Sequence, residues 1–287
     1  FADDTTLILS HHDPRSLGQL SSKAITRNNQ WMVRNGLKLN ASKTKFIQFG
    51  RDAPDLAIRI HNPNCSDAIL CMCERIEMVT SHKFLRLLVD RDQRFNLHVE
   101  AVCGKIRSGI AVLTRLKYVN STSLKISIYF ALVDAHIRYM IQVYGGTNES
   151  RSSEIHELQK KAVRIVLNEP YDAHSSPLFK LNIFEFRKLY AFSLVVSLIS
   201  TSPALPKPKH DHRTRFKVTG SLALSTRMKT RNRRTPIANS IKLHNSLPFE
   251  IRNYTGNFLV CTRAHVRSSI KHYFLNLDLD VIGRILY

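Results

Sequence analysis

The chain has no apolar run of the ~18 residues that a membrane-spanning helix needs; its longest candidate, 189–199, is interrupted by Ser193 and Ser197. That excludes a spanning helix. Acid is scarce: 22 Asp+Glu stand against 43 Lys+Arg, a formal charge of +21. Such a deficit favours polyanionic partners through counterion release, with nucleic acid expected rather than membrane. The five cysteines are odd in number and lack framework spacing, which argues against a disulfide scaffold. A reduced intracellular protein, nuclear and cytoplasmic, is expected. Neither a Ser-His-Asp set nor a phosphate-binding glycine loop is present, and there is no initiating Met and no signal peptide, which suggests a fragment. What is there is globular in composition: 287 residues, 43% hydrophobic and 23% charged, enough for a core and up to two modest domains.

The chain opens on Phe1-Ala2-Asp3-Asp4, followed by the apolar run Thr5-Thr6-Leu7-Ile8-Leu9, read as a buried strand. Asp13 followed by Pro14 marks a helix start, and Gly36 a left-handed stop, giving a helix over 14–35. Leu17, Leu20, Ala24 and Trp31 recur at helical spacing and define its expected buried face. Strands are expected at 37–39 and 45–49, a β-hairpin or ribbon from 56–60 and 75–79, and a last strand at 82–90. Helices follow at 98–118, 123–144, 151–168 and 183–199, the second ended by Gly145-Gly146. From 207 to 234 the chain carries ten Lys/Arg and one acid, as a linker or a tail that orders on a partner would. Helical patterning returns around Ile241, Leu243, Leu247 and Ile251.

Two adjacent carboxylates feeding a buried strand need a counter-charge, and oxygen ligands of this kind suit Mg2+. Phe1-Ala2-Asp3-Asp4 resembles the F/Y-A-D-D form of the metal turn of reverse transcriptases. Downstream, the run from Trp31 through Asn35, Leu37, Leu39 and Asn40 to Lys43-Thr44 follows the pattern W-x3-N-x-L-x-L-N-x2-K-T. This resembles the reverse transcriptases of non-LTR (LINE-type) retrotransposons, especially the jockey-like group. Ser81-His82-Lys83-Phe84-Leu85-Arg86 through Asp90 looks like that family's primer-grip strand, with Arg86 where glycine is usual. Later segments extend the likeness: Tyr129, His136-Ile137-Arg138-Tyr139, Gly145, Gln159 through Arg164, and Asn245-Ser246-Leu247-Pro248, with His244 in place of the usual tryptophan.

The resemblance implies an α+β fold: a truncated polymerase palm over 1–92, a helical thumb or connection region over 93–202, a basic linker over 203–235 and a small helical segment over 236–287. It implies a parent enzyme that performs RNA-directed DNA polymerisation with two Mg2+ (or Mn2+) ions, on an RNA template, a DNA primer or target, and dNTP. Asp3 is the expected metal ligand and catalytic residue, with Asp4 supporting; Lys43 and Lys45 are expected at nucleotide phosphate, and Lys83 and Arg86 at the primer strand. The family's first aspartate and fingers lie upstream of this turn, so the chain alone is expected not to polymerise. The basic segments, with Arg213, Arg215, Lys217, Arg231, Arg233 and Arg234, are expected to track phosphates. Tyr254, Phe258, Tyr273 and Phe274 read as core aromatics before base-stacking ones.

Cys65, Cys71, Cys73 and His82 raise a zinc reading, but C-x5-C-x-C lacks the paired C-x2-C knuckle, so small buried hydrophobes are the favoured reading and zinc is not expected. Two readings from other classes stay open beside the polymerase fragment: a non-catalytic nucleic-acid-binding remnant, and a domesticated protein-interaction module.

Overall fold

The computed structural model describes residues 5–50, 56–61, 65, 71–174, 183–200, 222, 235–256 and 263–286, with the side chains of 253–265 outside that description. The chain forms two compact units, Phe1–Leu97 and His98–Tyr287. It is mostly helical with short sheets, an α+β arrangement.

In the first unit, α1 (Pro14–Arg34) begins where local chemistry dictates. The Asp13 carboxylate accepts the Ser16 N–H at 2.8 Å, and hydrogen bonding to the Ser16 side chain first and its N–H second holds its pKa below the ordinary carboxylate value. Gly36, at φ 71°, supplies the left-handed stop. Strands β1 (Lys45–Phe46) and β4 (Glu77–Met78) pair in parallel; β2 (Arg59–Ile60) and β3 (Glu74–Arg75) pair antiparallel, as do β5 (Ser81–Phe84) and β6 (Leu87–Asp90). A small core joins Ile25 of α1 to Leu56, Ile58, Ile60 and Ile76.

The buried face of α1 differs from the expected one. Leu17 packs on the core, but Leu20 and Trp31 are exposed, and Ser21, Ser22 and Ile25 are buried instead. Hydrogen bonding explains the rotation: Ser22 Oγ accepts the Arg59 N–H (3.3 Å), and Thr26 Oγ1 accepts that of His61 (3.1 Å). The helix therefore meets the β2–β3 ribbon through hydroxyls that satisfy edge N–H groups. Neither 5–9 nor 37–39 forms a strand, and Ile8 is 91% exposed. Apolar alternation alone did not supply a pairing partner among the described residues. The expected single strand at 82–90 is a hairpin, with Phe84 opposite Leu87 across a two-residue turn.

The second unit contains α2 (Asn96–Arg115), α3 (Thr122–Tyr129), a π-helical turn (Phe130–Asp134), α4 (Ala135–Arg138), α5 (Ile141–Tyr144), α6 (Glu149–Leu167) and α7 (Phe186–Ser200). Four helices follow: α8 (Pro236–Ser246), α9 (Phe249–Gly256), α10 (Arg263–Asn276) and α11 (Leu279–Leu286). The continuous helix expected over 123–144 is broken at Met140, whose φ is 54°. Helix α7 is central, burying Phe186, Leu189, Tyr190, Leu194 and Val195, and α8 and α10 pack against it. No helix among the described residues is long and apolar enough to cross a membrane.

Candidate nucleic-acid interface and metal-ligand cluster

Asp3, Asp4, Arg213, Arg215, Lys217, Arg231, Arg233 and Arg234 lie outside the described residues, as does Phe258, and the side chain of Tyr254 with them. The remaining expected site residues are all in the first unit. Lys43 is exposed in a turn that Asn40 builds: the Asn40 side chain accepts the Lys43 N–H (3.1 Å) and the Ser42 hydroxyl (2.7 Å), and its carbonyl accepts the Thr44 hydroxyl (2.8 Å). Asn40 and Thr44 thus shape the loop that presents Lys43. Lys45 is engaged elsewhere, in an ion pair with Glu77, its partner in the β1–β4 register.

Lys83 and Arg86 are exposed on the β5–β6 hairpin, Arg86 at its tip. Leu85 and Arg86 have φ of 45° and 65°, the positive pair that a two-residue type I′ turn requires. This explains a glycine preference at Arg86 by backbone conformation. The Asp90 carboxylate is used locally, accepting the N–H groups of Arg94 (3.0 Å) and Phe95 (2.8 Å).

In the second unit, the motif residues turn out to be joints. Gln159, fully buried, donates to the Tyr129 hydroxyl (3.0 Å) and the Phe184 carbonyl (2.7 Å), while its oxygen accepts the Phe186 N–H (2.9 Å). One side chain thereby ties α3, α6 and the start of α7. Gly145 has an ordinary negative φ; its role is proximity, since a Cβ there would lie 2.4 Å from the Tyr190 ring. Asn245 clamps the backbone of Leu222 with both amide atoms, at 2.8 and 3.0 Å. His244 is buried, which lowers its pKa, and Phe274 is a core aromatic as expected. Lys125 is a residue the sequence reading missed. Fully buried, it donates to the Lys117 carbonyl (2.8 Å) and the Asn168 side chain (2.7 Å), placing a cation at two helix C-terminal ends.

Two further features belong to the first unit. A cleft of about 580 Å3 is lined by Leu7, Leu9, Leu17, Ile25, Lys45 and Phe46 among others. Separately, His61 Nδ1 and the sulfurs of Cys65, Cys71 and Cys73 all lie within 4.8 Å of one another. The histidine is His61, not the His82 considered in the zinc reading, which is exposed on β5. The Cys65 thiol is pushed up to about 12, first by its hydrogen bond to Cys73, then by burial and by Cys71. None of the three is in a disulfide. The spacing H-x3-C-x5-C-x-C was visible in the sequence, but nothing there showed that His61 would face the cysteines.

No family model matches the chain, and no solved structure matches it. It is similar to the RNA-directed DNA polymerase from mobile element jockey of Drosophila funebris, at 26% identity over 148 residues. That alignment covers 50% of this chain and 15% of the relative.

Proposed function

We propose that this chain is a nucleic-acid-binding part of a reverse transcriptase of the non-LTR, jockey-like kind. The observation that carries the reading is the similarity over half the chain to a jockey RNA-directed DNA polymerase. The charge of +21 and the exposure of Lys43 and Arg86 on turns and of Lys83 on β5 of the first unit support it. In this reading 1–92 is palm and 93–202 thumb or connection, with 203–235 a basic linker and 236–287 a helical extension. The Asn40 turn offers Lys43 to nucleotide phosphate, and the β5–β6 hairpin offers Lys83 and Arg86 to a primer backbone. Asp3 and Asp4 would hold Mg2+, which supplies charge neutralisation for nucleotidyl transfer in the parent enzyme.

The test is binding and primer extension on a poly-rA/oligo-dT duplex with Mg2+, beside an Asp3→Ala, Asp4→Ala variant. Binding that falls about tenfold or more between ~50 and ~200 mM salt is the expected result. Incorporation that disappears in the double variant would establish polymerisation by this chain. Absence of both binding and incorporation would refute the proposal and favour a protein-interaction module.

A further inference from the structure

The β2–β3 ribbon ends in the cluster of His61, Cys65, Cys71 and Cys73, and its geometry is set by strand pairing. Arg59 pairs with Arg75 and Ile60 with Glu74. Continuing that register puts His61 opposite Cys73, where side chains of a cross-strand pair share a face. Cys71 and Cys73 are half-buried while Met72 between them is fully exposed, so the two thiols lie on one side of an extended segment. The ribbon is anchored to α1 by the His61 N–H bond to Thr26 and internally by the Arg59 guanidinium, which donates to the Cys73 carbonyl at 2.8 Å.

His61 Nδ1 lies 3.5 Å from Cys65 Sγ and 3.5 Å from Cys71 Sγ. A neutral ring nitrogen has one lone pair or one proton and cannot serve two thiols equally by hydrogen bonding. One cation at the centre of the four atoms can. With Zn–S near 2.3 Å and Zn–N near 2.0–2.1 Å, tetrahedral angles separate a nitrogen from a sulfur ligand by about 3.5–3.6 Å and two sulfurs by about 3.8 Å. The two nitrogen–sulfur separations of 3.5 Å match that frame, and all four ligand atoms lie within 4.8 Å of one another. Charge points the same way. Arg59 and Arg75 are directly opposed, a like-charge pair that destabilises a ribbon. Three thiolates and a neutral imidazole on a divalent ion carry a net negative charge one pair further along, which offsets it.

We propose that His61, Cys65, Cys71 and Cys73 form a four-coordinate zinc site that staples the β2–β3 ribbon. With all four positions filled by protein, the site is structural and leaves no open position for a substrate. It is independent of the reverse-transcriptase reading and uses none of the residues assigned there.

The test measures zinc by mass spectrometry of the full chain, purified without a histidine tag from zinc-supplemented medium. One zinc per chain is expected, lost in His61→Ala and in the Cys71→Ser, Cys73→Ser double variant, and kept in His82→Ala and Cys103→Ser. Cobalt exchange should give the visible bands of tetrahedral cobalt-thiolate. His61→Cys should keep the metal and shift those bands, a result that general misfolding would not produce. Zinc-free wild-type protein, zinc retained in the double variant, or a disulfide among the three cysteines in freshly purified protein would each overturn the proposal.

Discussion

The two units solve the same problem of burial by different means. Among the described residues of Phe1–Leu97 the core cluster is five buried aliphatic residues with partly buried neighbours, and each sheet is two strands wide. Its described residues leave Leu7, Ile8, Trp31, Val33, Leu37 and Phe49 exposed. In His98–Tyr287 whole helices are buried along one side, and polar groups such as Gln159 and Lys125 are fully enclosed with partners. A two-stranded ribbon is marginal on its own and depends on caps, turns and cross-links. A helical core with satisfied internal polar joints depends on keeping each joint complete, because a buried group left unpaired costs more than the bond contributed. Among the described residues, the candidate contacts to a partner sit on turns and the β5–β6 hairpin of the first unit, while motif residues of the second are spent on packing.

The sharpest way to break this contrast is Gln159→Ala. It strands the Phe186 N–H, the Phe184 carbonyl and the Tyr129 hydroxyl, and should cost roughly 3–4 kcal/mol. Denaturant unfolding would read the loss, and hydrogen exchange should place it at α3, α6 and α7. A cost below about 1 kcal/mol would mean that the joint is not the support described.

A smaller effect comes from His156, whose pKa burial lowers to about 4, with Lys160 adding to the shift. The unfolded chain takes up that proton at a higher pH than the folded one, near 6.5, so stability is complete above ~6.5 and lost as pH falls toward 4. The loss should be on the order of 2–3 kcal/mol across that window. Comparing wild type with His156→Gln between those pH values isolates it from Asp134 and Glu185, whose pKa values burial raises. A variant with an unchanged pH slope would remove His156 from the account.

The smallest effect tests the first unit. Arg86→Gly relieves a non-glycine residue at φ 65° in the hairpin turn and should stabilise the protein by about 0.5–1 kcal/mol, after glycine's own entropy cost. A destabilised variant would show that the arginine side chain, not the turn, holds the hairpin.

Legibility followed the range of the interaction. The start of α1 at Asp13-Pro14 and its stop at Gly36 were readable, because capping joins residues three or four apart. The type I′ turn at Leu85-Arg86 was hidden, since neither residue is one that favours positive φ and the flanking apolar run mimicked one strand. The helix face was misplaced for a similar reason: Ser22 and Thr26 look solvent-facing until the ribbon edge that needs their hydroxyls is in view. For the candidate site, Lys43, Lys83 and Arg86 could be marked as exposed cations from motif position, whereas Lys45 could not be known to pair with Glu77.

By itself the sequence determined the charge that favours a polyanionic partner, the caps of α1, the mainly helical character beyond residue 90, and the motifs that resemble a reverse transcriptase. Composition and local hydrogen bonding carry all four. Only the tertiary structure decided that His61 rather than His82 joins the three cysteines, that Gln159 is a joint and that Lys125 is enclosed. Those outcomes depend on strand register and helix packing between residues far apart in the chain, which no local pattern encodes.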